Sequence, residues 1–543
     1  MGRGLQRSRW MGLCVGMWMQ ACGGISYAFS LYSADLKQVM GYNQELIDAL
    51  GTAKDIGGNV GIVSGLLIDR TSASFVLLVG GLMHLSFYSM LYLASTKQIF
   101  PTHWQMCGII MLGTNGATWF NTAVLVTCMR NFPSDRGVVV GLLKGFIGLS
   151  GAIFTQVYTA IYAPHTGPFL LFCATFPPMV ALVSMLYIRP IDPPRNKDES
   201  DDHKFTMLYI TGLVLAFYLM CIILLQDFFA VRKAASQFFM FIMLLILLVP
   251  GAISLHPADG RQKIHPDTDS LFVKTPKMLK NSIRNPITVD VGHRIAELRN
   301  DGAVNNGGLP GSPSKSKLRL GSDYTLTQAV RTEDFWLLFF AMGCGTGSGL
   351  TAINNLAQMA ESLNSKSIGA FVALVSVWNF LGRLGSGYIS EFFMKRSGTP
   401  RPVFLLIVQA LMGSAHLLFA SSVPSLLYGA SILVGLAHGA HWTLMVATSS
   451  ELFGLKNFGA LYNTLSISST IGSYVLSVKL AGYLYDQQAA AANVRRCKGP
   501  QCFRLTFLIM ALVCLIGCVA LVRLVSRTRL VYRDIQRLKA ASR

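Results

Sequence analysis

Apolar residues gather into long, nearly uncharged stretches, and polar residues are confined to the connections between them. A helix crossing a bilayer needs roughly 20 mostly apolar residues, and fourteen stretches reach that length. Six run over 10–33, 46–68, 73–94, 104–129, 137–163 and 168–188. Two follow at 205–227 and 235–255, and six more at 335–360, 367–393, 402–421, 424–451, 458–486 and 503–525. The pattern predicts an all-α polytopic membrane protein in the order six, two, six. Twelve spans, with 205–255 outside the core, is the alternative order.

The last six stretches superpose on the first six. Gly65 and Asp69 return 322 positions later as Gly387 and Glu391, Gly113 as Gly435, and Gly137 as Gly459. Trp119 returns one residue further on, as Trp442. An internal repeat of this length in an apolar chain is the trace of two similar bundles enclosing a central site. The expected organisation is a bundle over 1–188, a linker with two inserted helices over 189–255, a disordered loop over 256–334, a second bundle over 335–525 and a basic tail over 526–543.

Two connections are long. Residues 189–204 hold Pro193, Pro194 and the acids Asp198, Glu199, Asp201 and Asp202. Residues 256–334 mix Pro, Gly, Ser and Lys, a composition that cannot bury enough apolar surface to offset its chain entropy. Ser312 and Ser314 there fit either a regulatory tether or a passive solvated one.

Composition agrees with the pattern: 52% of residues are hydrophobic and 13% charged. The net charge of +20 does not point to nucleic acid, because of where it lies. With the N-terminus placed in the cytoplasm, most of the 46 Lys and Arg fall on the cytoplasmic side, including the run from Arg523 to Arg543. That is the positive-inside signature. Both termini are expected in the cytoplasm, in a plasma membrane or an endomembrane, with the tail able to meet anionic lipid. The apolar stretch after Arg9 is too long for a cleaved signal peptide. Nine of the eleven cysteines lie in the apolar stretches, whereas Cys497 and Cys502 share a polar loop on the other side, where a disulfide can persist.

Residues 61–70 read Gly-x-x-x-Gly-x-x-x-Asp-Arg. Small residues four apart let helices approach closely, and Asp69 with Arg70 can latch to a neighbouring helix end. This segment resembles the loop motif of the major facilitator superfamily, and Gly387 with Glu391 resembles its second copy. Thr71 and Ser72 stand where that motif has further basic residues. Lys54-Asp55-Ile56-Gly57-Gly58-Asn59-Val60-Gly61, the run from Gly113 to Trp119, Arg130-Asn131-Phe132-Pro133 and Gly141-Leu142-Leu143-Lys144-Gly145 are similar to the plant nodulin-like branch of that superfamily. Gly349-Leu350-Thr351-Ala352-Ile353-Asn354-Asn355-Leu356 resembles its second half. The resemblance implies a transporter fold and leaves the substrate open.

A charge inside the bilayer costs at least about 2.5–3.5 kcal/mol on insertion scales, so each needs a reason. Lys54 and Asp55 lie about 12 Å into their helix and point roughly 100° apart, so they are expected to need separate partners or a wet cavity. Lys144 shares a face with Gly137, Gly141, Gly145 and Gly148, and Arg383 lies about 15 Å from its helix end. Lys54, Lys144 and Arg383 fit either anion binding and gating or structural ion pairs. His438 and His441, with Trp442 beside them, fit a proton relay or buried, hydrogen-bonded histidines. Asn354, Asn355 and Gln358 can bind substrate or hold helices together. Lys479 sits where it can snorkel, and His84 and His416 read as structural.

Phosphate-loop, zinc-site and Ser/His/Asp patterns are not found, so an enzyme, a primary pump, a cofactor and a resident metal are not expected. The expectation is a monomeric secondary transporter of a small organic anion, with protons as a candidate coupling ion and the lipid bilayer as its surround. A receptor or scaffold on the same fold, or a carrier of neutral solutes or metal ions, are the alternatives.

Overall fold

The computed structural model describes residues 8–42, 44–191, 199–229, 231–255, 321–363, 368–491 and 497–541. These are all helical or irregular, and ten helices among them are long and apolar enough to cross a membrane. The described residues of the other four expected segments (10–33, 46–68, 367–393 and 458–486) are helical too, but interrupted or charged.

In the first bundle, α1 (Arg9–Gly23) passes through a 3-10 turn into α2 (Ser30–Met40). The second span is split into α3 (Gln44–Asn59) and α4 (Ile62–Ile68). Then come α5 (Ala73–Ser95), α6 (His103–Asn131), α7 (Arg136–Val157) and α8 (Thr166–Tyr187). The inserted pair is α9 (Glu199–Phe228) and α10 (Lys233–Leu255). In the second bundle, a short α11 (Leu326–Ala329) precedes α12 (Glu333–Met342), which runs through a π-helical turn at Gly343–Gly347 into α13 (Ser348–Ser362). There follow α14 (Ile368–Ser397), α15 (Arg401–Ser421), α16 (Leu426–Phe453) and α17 (Phe458–Ser473). A π-helical stretch, Tyr474–Gly482, joins α17 to α18 (Tyr483–Ala491), and α19 (Arg504–Ala541) is the last described helix.

Helix starts follow local chemistry. The Ser72 hydroxyl accepts the Phe75 N–H at 3.2 Å, and that of Thr332 accepts the Phe335 N–H at 3.3 Å, each satisfying an orphan donor of the first turn. The inserted pair lies against the bundles and not apart from them. Tyr209 of α9 donates to Val138 O at 3.2 Å, Trp18 donates to Leu247 O of α10 at 2.7 Å, and Arg9 pairs with Asp201. The outward faces of these helices expose Phe217, Phe238 and Leu248, a surface suited to lipid and not to water.

Three expectations change. Asp201 and Asp202 belong to the start of α9 and not to a loop. The end of the long connection, 321–334, is folded on the second bundle; the rest of it, with Ser312 and Ser314, lies outside the described residues. The final helix runs well past Val525, to Ala541. A disulfide joins Cys497 and Cys502.

Candidate functional site

The break between α3 and α4 is written in the glycines. Gly57, Gly58 and Gly61 leave no side chain to fill the groove, and a Cβ at Gly57 would collide with Met111 O of α6. A broken helix frees carbonyls, which inside a membrane must find donors. Helix α6 supplies them. Thr114 donates to Lys54 O at 3.1 Å, Asn115 to Gly57 O at 3.0 Å and Val60 O at 2.6 Å, and Thr118 to Gly58 O at 2.9 Å. The run from Lys54 to Gly61 and the run from Gly113 to Trp119 are thus two halves of one joint.

At the end of α4 the bundles meet glycine to glycine. A Cβ at Gly65 would sit on Gly459 O, and one at Gly387 would sit on Gly137 O. These are the same crossing made twice, since Gly459 is the repeat of Gly137 and Gly387 that of Gly65. Beside each crossing a carboxylate takes N–H groups at the start of the facing helix, where the helix dipole favours negative charge. Asp69 accepts from Gly459 N at 3.2 Å and Ala460 N at 3.0 Å; Glu391 accepts from Gly137 N at 3.3 Å. Burial pushes the Asp69 carboxyl above its ordinary range, against the lowering pull of the Ala460 N–H, Arg130 and the Gly459 N–H.

The two copies have different basic partners. Arg70 is exposed, and the arginine that reaches Asp69 is Arg130, at 2.9 Å. Arg130 also donates to Leu455 O and Lys456 O of the second bundle, at 3.2 and 2.9 Å. Glu391 pairs instead with the fully buried Arg401, which donates to Glu451 at 2.7 Å and Ser390 at 2.6 Å. Lys395 bridges Glu391 to Asp135.

Behind this closure lies a polar layer of Ser64, Thr122 and Asn463, with Ser64 and Asn463 each 3.1 Å from the Thr122 hydroxyl. Next comes the central cluster. Lys144, 4% exposed, donates to Tyr462 Oη at 2.6 Å and Asn121 Oδ1 at 3.2 Å. Its ammonium lies 4.8 Å from the Tyr462 ring centre and 5.5 Å from that of Trp442, within cation–π range. Gln20 donates to Asn121 Oδ1 at 3.2 Å. Arg383, 3% exposed, donates to Asn379 Oδ1 at 2.7 Å and to the backbone oxygen of Lys144 at 2.9 Å. The glycines of α7 face α14, where Gly145 meets the ring of Phe380, while the Lys144 side chain turns aside to α6 and α17. Trp442 donates to His438 Nε2 at 3.3 Å. His441 is 2.8 Å from both Ala437 O and Gln409 Oε1.

A cleft of about 330 Å³ opens between the bundles on the far side of this cluster from the Asp69 closure. Thr52, Asp55 and Asn59 line it from α3, Leu350 and Asn354 from α13, and Thr470, Tyr474 and Ser477 from the second bundle. Asp55 faces a cavity, one of the two expectations for this pair; Lys54 and Asp55 also pair with each other at 2.8 Å, which corrects the other, separate partners. The four-carbon lysine stem spans the angle between neighbouring positions, and its ammonium also lies 5.7 Å from the Phe29 ring centre. Asn354 faces the cleft, but Asn355 donates to Thr351 O at 2.9 Å and Ser477 Oγ at 3.3 Å, so it joins helices. Gln358 is exposed, Lys479 is exposed beside Tyr474, and His84 is buried 3.1 Å from Cys173 O.

Sequence reasoning missed Tyr462, Asn121, Arg401 and Glu451. Tyr462 and Asn121 sit in apolar stretches with no charge to flag them. Arg401 stands at a helix start, where a basic residue looks topogenic. Arg130 was inside a recognised motif, but nothing along the chain ties it to Asp69.

Two bundles related by an internal repeat, crossing at paired glycines around buried polar residues, define a secondary transporter of the major facilitator superfamily. Within it, the Nodulin-like family model matches residues 9–255 and the NFD4 C-terminal domain model matches residues 322–533. The chain belongs to the nodulin-like branch of the superfamily and is an integral, multi-pass membrane protein. It is 26% identical to Protein NUCLEAR FUSION DEFECTIVE 4 of Arabidopsis thaliana, over 98% of this chain and 91% of that one. It is 30% identical to the uncharacterized MFS-type transporter YhjX of Escherichia coli over 28% of this chain and 37% of that protein. Among solved structures, the proton:xylose symporter XylE aligns over 94% of both chains with a TM-score of 0.52 at 9% identity; that likeness concerns the fold.

Proposed function

We propose that this transporter carries a small organic anion by alternating access, the two bundles rocking about the central cluster. The observation that carries the reading is the pair of buried cations where the bundles meet: Lys144 on α7, and Arg383 on α14, whose guanidinium bonds the Lys144 backbone oxygen. Buried charge at that depth is expensive, and an anion entering from the cleft would find Lys144, Tyr462, Asn121 and Trp442 converging on it. The closure at Asp69 and Glu391 is on the cytoplasmic side in this reading, with both termini in the cytoplasm, and the cleft faces the other way. XylE, which shares the fold, is a proton symporter, so protons are the coupling ion to test first. A monomer contains the whole pathway.

Uptake into liposomes tests this directly, using carboxylates, amino acids, sugars and metal salts with and without a pH gradient. The expected result is uptake of carboxylates that Lys144→Met abolishes. A preference for cationic solutes overturns the anion reading, and binding of a solute without its movement overturns transport in favour of a receptor.

A further inference from the structure

The folded end of the long connection lies across the turn that joins α16 to α17. Gly321 N donates to Leu452 O at 2.8 Å and Tyr324 N to Phe453 O at 3.0 Å, so the last carbonyls of α16 are satisfied by a segment from outside the helix. The Asp323 carboxylate accepts both Leu455 N and Lys456 N through Oδ1, each at 3.0 Å. Asn457 returns a bond from its Nδ2 to Tyr324 O at 2.9 Å. The buried Tyr324 ring stands edge-on to Phe453 at 5.6 Å. Between the two helices Gly454 adopts φ +79°, and a Cβ there would collide with Asp323. That position therefore admits the strap only as glycine.

The same turn is where the first bundle takes hold. Leu455 O and Lys456 O accept from Arg130, and the N–H groups of Gly459 and Ala460 just beyond hold Asp69. Helix α17 then carries Asn463 to Thr122 and Tyr462 to Lys144. The turn thus has its N–H side held by Asp323 and its carbonyl side held by Arg130.

We infer that residues 321–324 are a gate strap, and that Asp323 is a positioning residue that presents the α16–α17 turn to Arg130 and Asp69. The long connection between the bundles is thereby tied to the closure it leads away from. Loosening the strap releases the turn, weakens the Asp69 latch and shifts the bundles toward opening on the Asp69 side. The inference rests on the gate reading above, but its readout needs no substrate, so a wrong substrate class leaves it standing or falling by itself.

The test is labelling of a reporter cysteine, Ser64→Cys, in the full chain in sealed vesicles, by a membrane-impermeant maleimide applied to the Asp69 side. The same chain without the reporter gives the background. Asp323→Ala is expected to speed labelling by about tenfold, the scale of two weakened hydrogen bonds. Asp323→Asn, which keeps an acceptor oxygen, is expected to stay close to the parent. Thr470→Cys, on the cleft side and labelled with the same reagent applied to that side, is expected to label no faster in either variant than in the parent. Unchanged labelling of the Ser64 reporter in Asp323→Ala overturns the inference. So does an equal rise at both reporters, which would mark general loosening. Should Asp323→Ala fail to reach the membrane, Asn457→Ala, which removes the bond to Tyr324 O, takes its place with the same two outcomes.

Discussion

A single phenol oxygen ties the two bundles at their centre. Tyr462 Oη receives Lys144 from α7 and Asn121 from α6, at 2.6 and 3.0 Å. Tyr462→Phe keeps the ring beneath the ammonium and removes only that oxygen. It is expected to cut transport at least tenfold with little loss of thermal stability. Lys144→Met is expected to abolish transport while the protein still reaches the membrane; normal transport by this variant would remove the lysine from the site. Asp69 supplies a pH dependence. Its folded-state pKa is raised by burial, so the folded state bears the cost of the buried charge above that pKa and is relieved of it as the pH falls through it. Opening the closure exposes Asp69 and removes that cost, so the buried, closed form holds the proton more tightly than the open one. Acidification should therefore favour the closed form, with no loss of global stability from this group. The ratio of Ser64→Cys labelling in the parent to that in Asp69→Asn should fall as the pH is lowered; a flat or rising ratio would refute this.

At the scale of elements, the split of α3 from α4 is held by donors on a neighbouring helix. Asn115 serves two freed carbonyls at once. Asn115→Ala leaves both without that donor and should cost about 1–3 kcal/mol, read as a lower unfolding temperature in detergent, whereas Ser414→Ala on the exposed side of α15 should leave it unchanged. The elements themselves were legible because length and apolarity dictate a span almost without context. The break was half legible. Gly57, Gly58 and Gly61 announce a weak helix, but only the structure shows that Thr114, Asn115 and Thr118 make the break affordable. Lys54 and Asp55 were also half legible: Asp55 does face a cavity, but helical spacing describes only where Cβ atoms point, and a long side chain can cross that angle to its neighbour.

For the whole molecule, the repeat was legible in the chain because the crossing at Gly65 and Gly459 and the one at Gly387 and Gly137 tolerate no side chain. The central cluster was legible only in its charged members, since Tyr462 and Asn121 look like ordinary members of apolar stretches. The inserted pair follows the fourteen-span order. Glycosylation tags placed after Phe228 and after Gln487 should both be modified, because both loops fall on the side opposite the termini. Modification of the second alone would mean that α9 and α10 do not cross as drawn.

The two copies of the second span have since parted ways. In the first half it is jointed at Val60, with its end held by Asp69 and one partly exposed arginine; in the second, α14 runs unbroken from Ile368 to Ser397 and is pinned through Glu391, Arg401 and Glu451. A repeated pattern fixes where two spans lie, not how stiff each must be. Here one copy serves as a post and the other has become an elbow. A change tolerated in the first half need not be tolerated at the matching place in the second, so mutational tolerance should not share the symmetry of the fold.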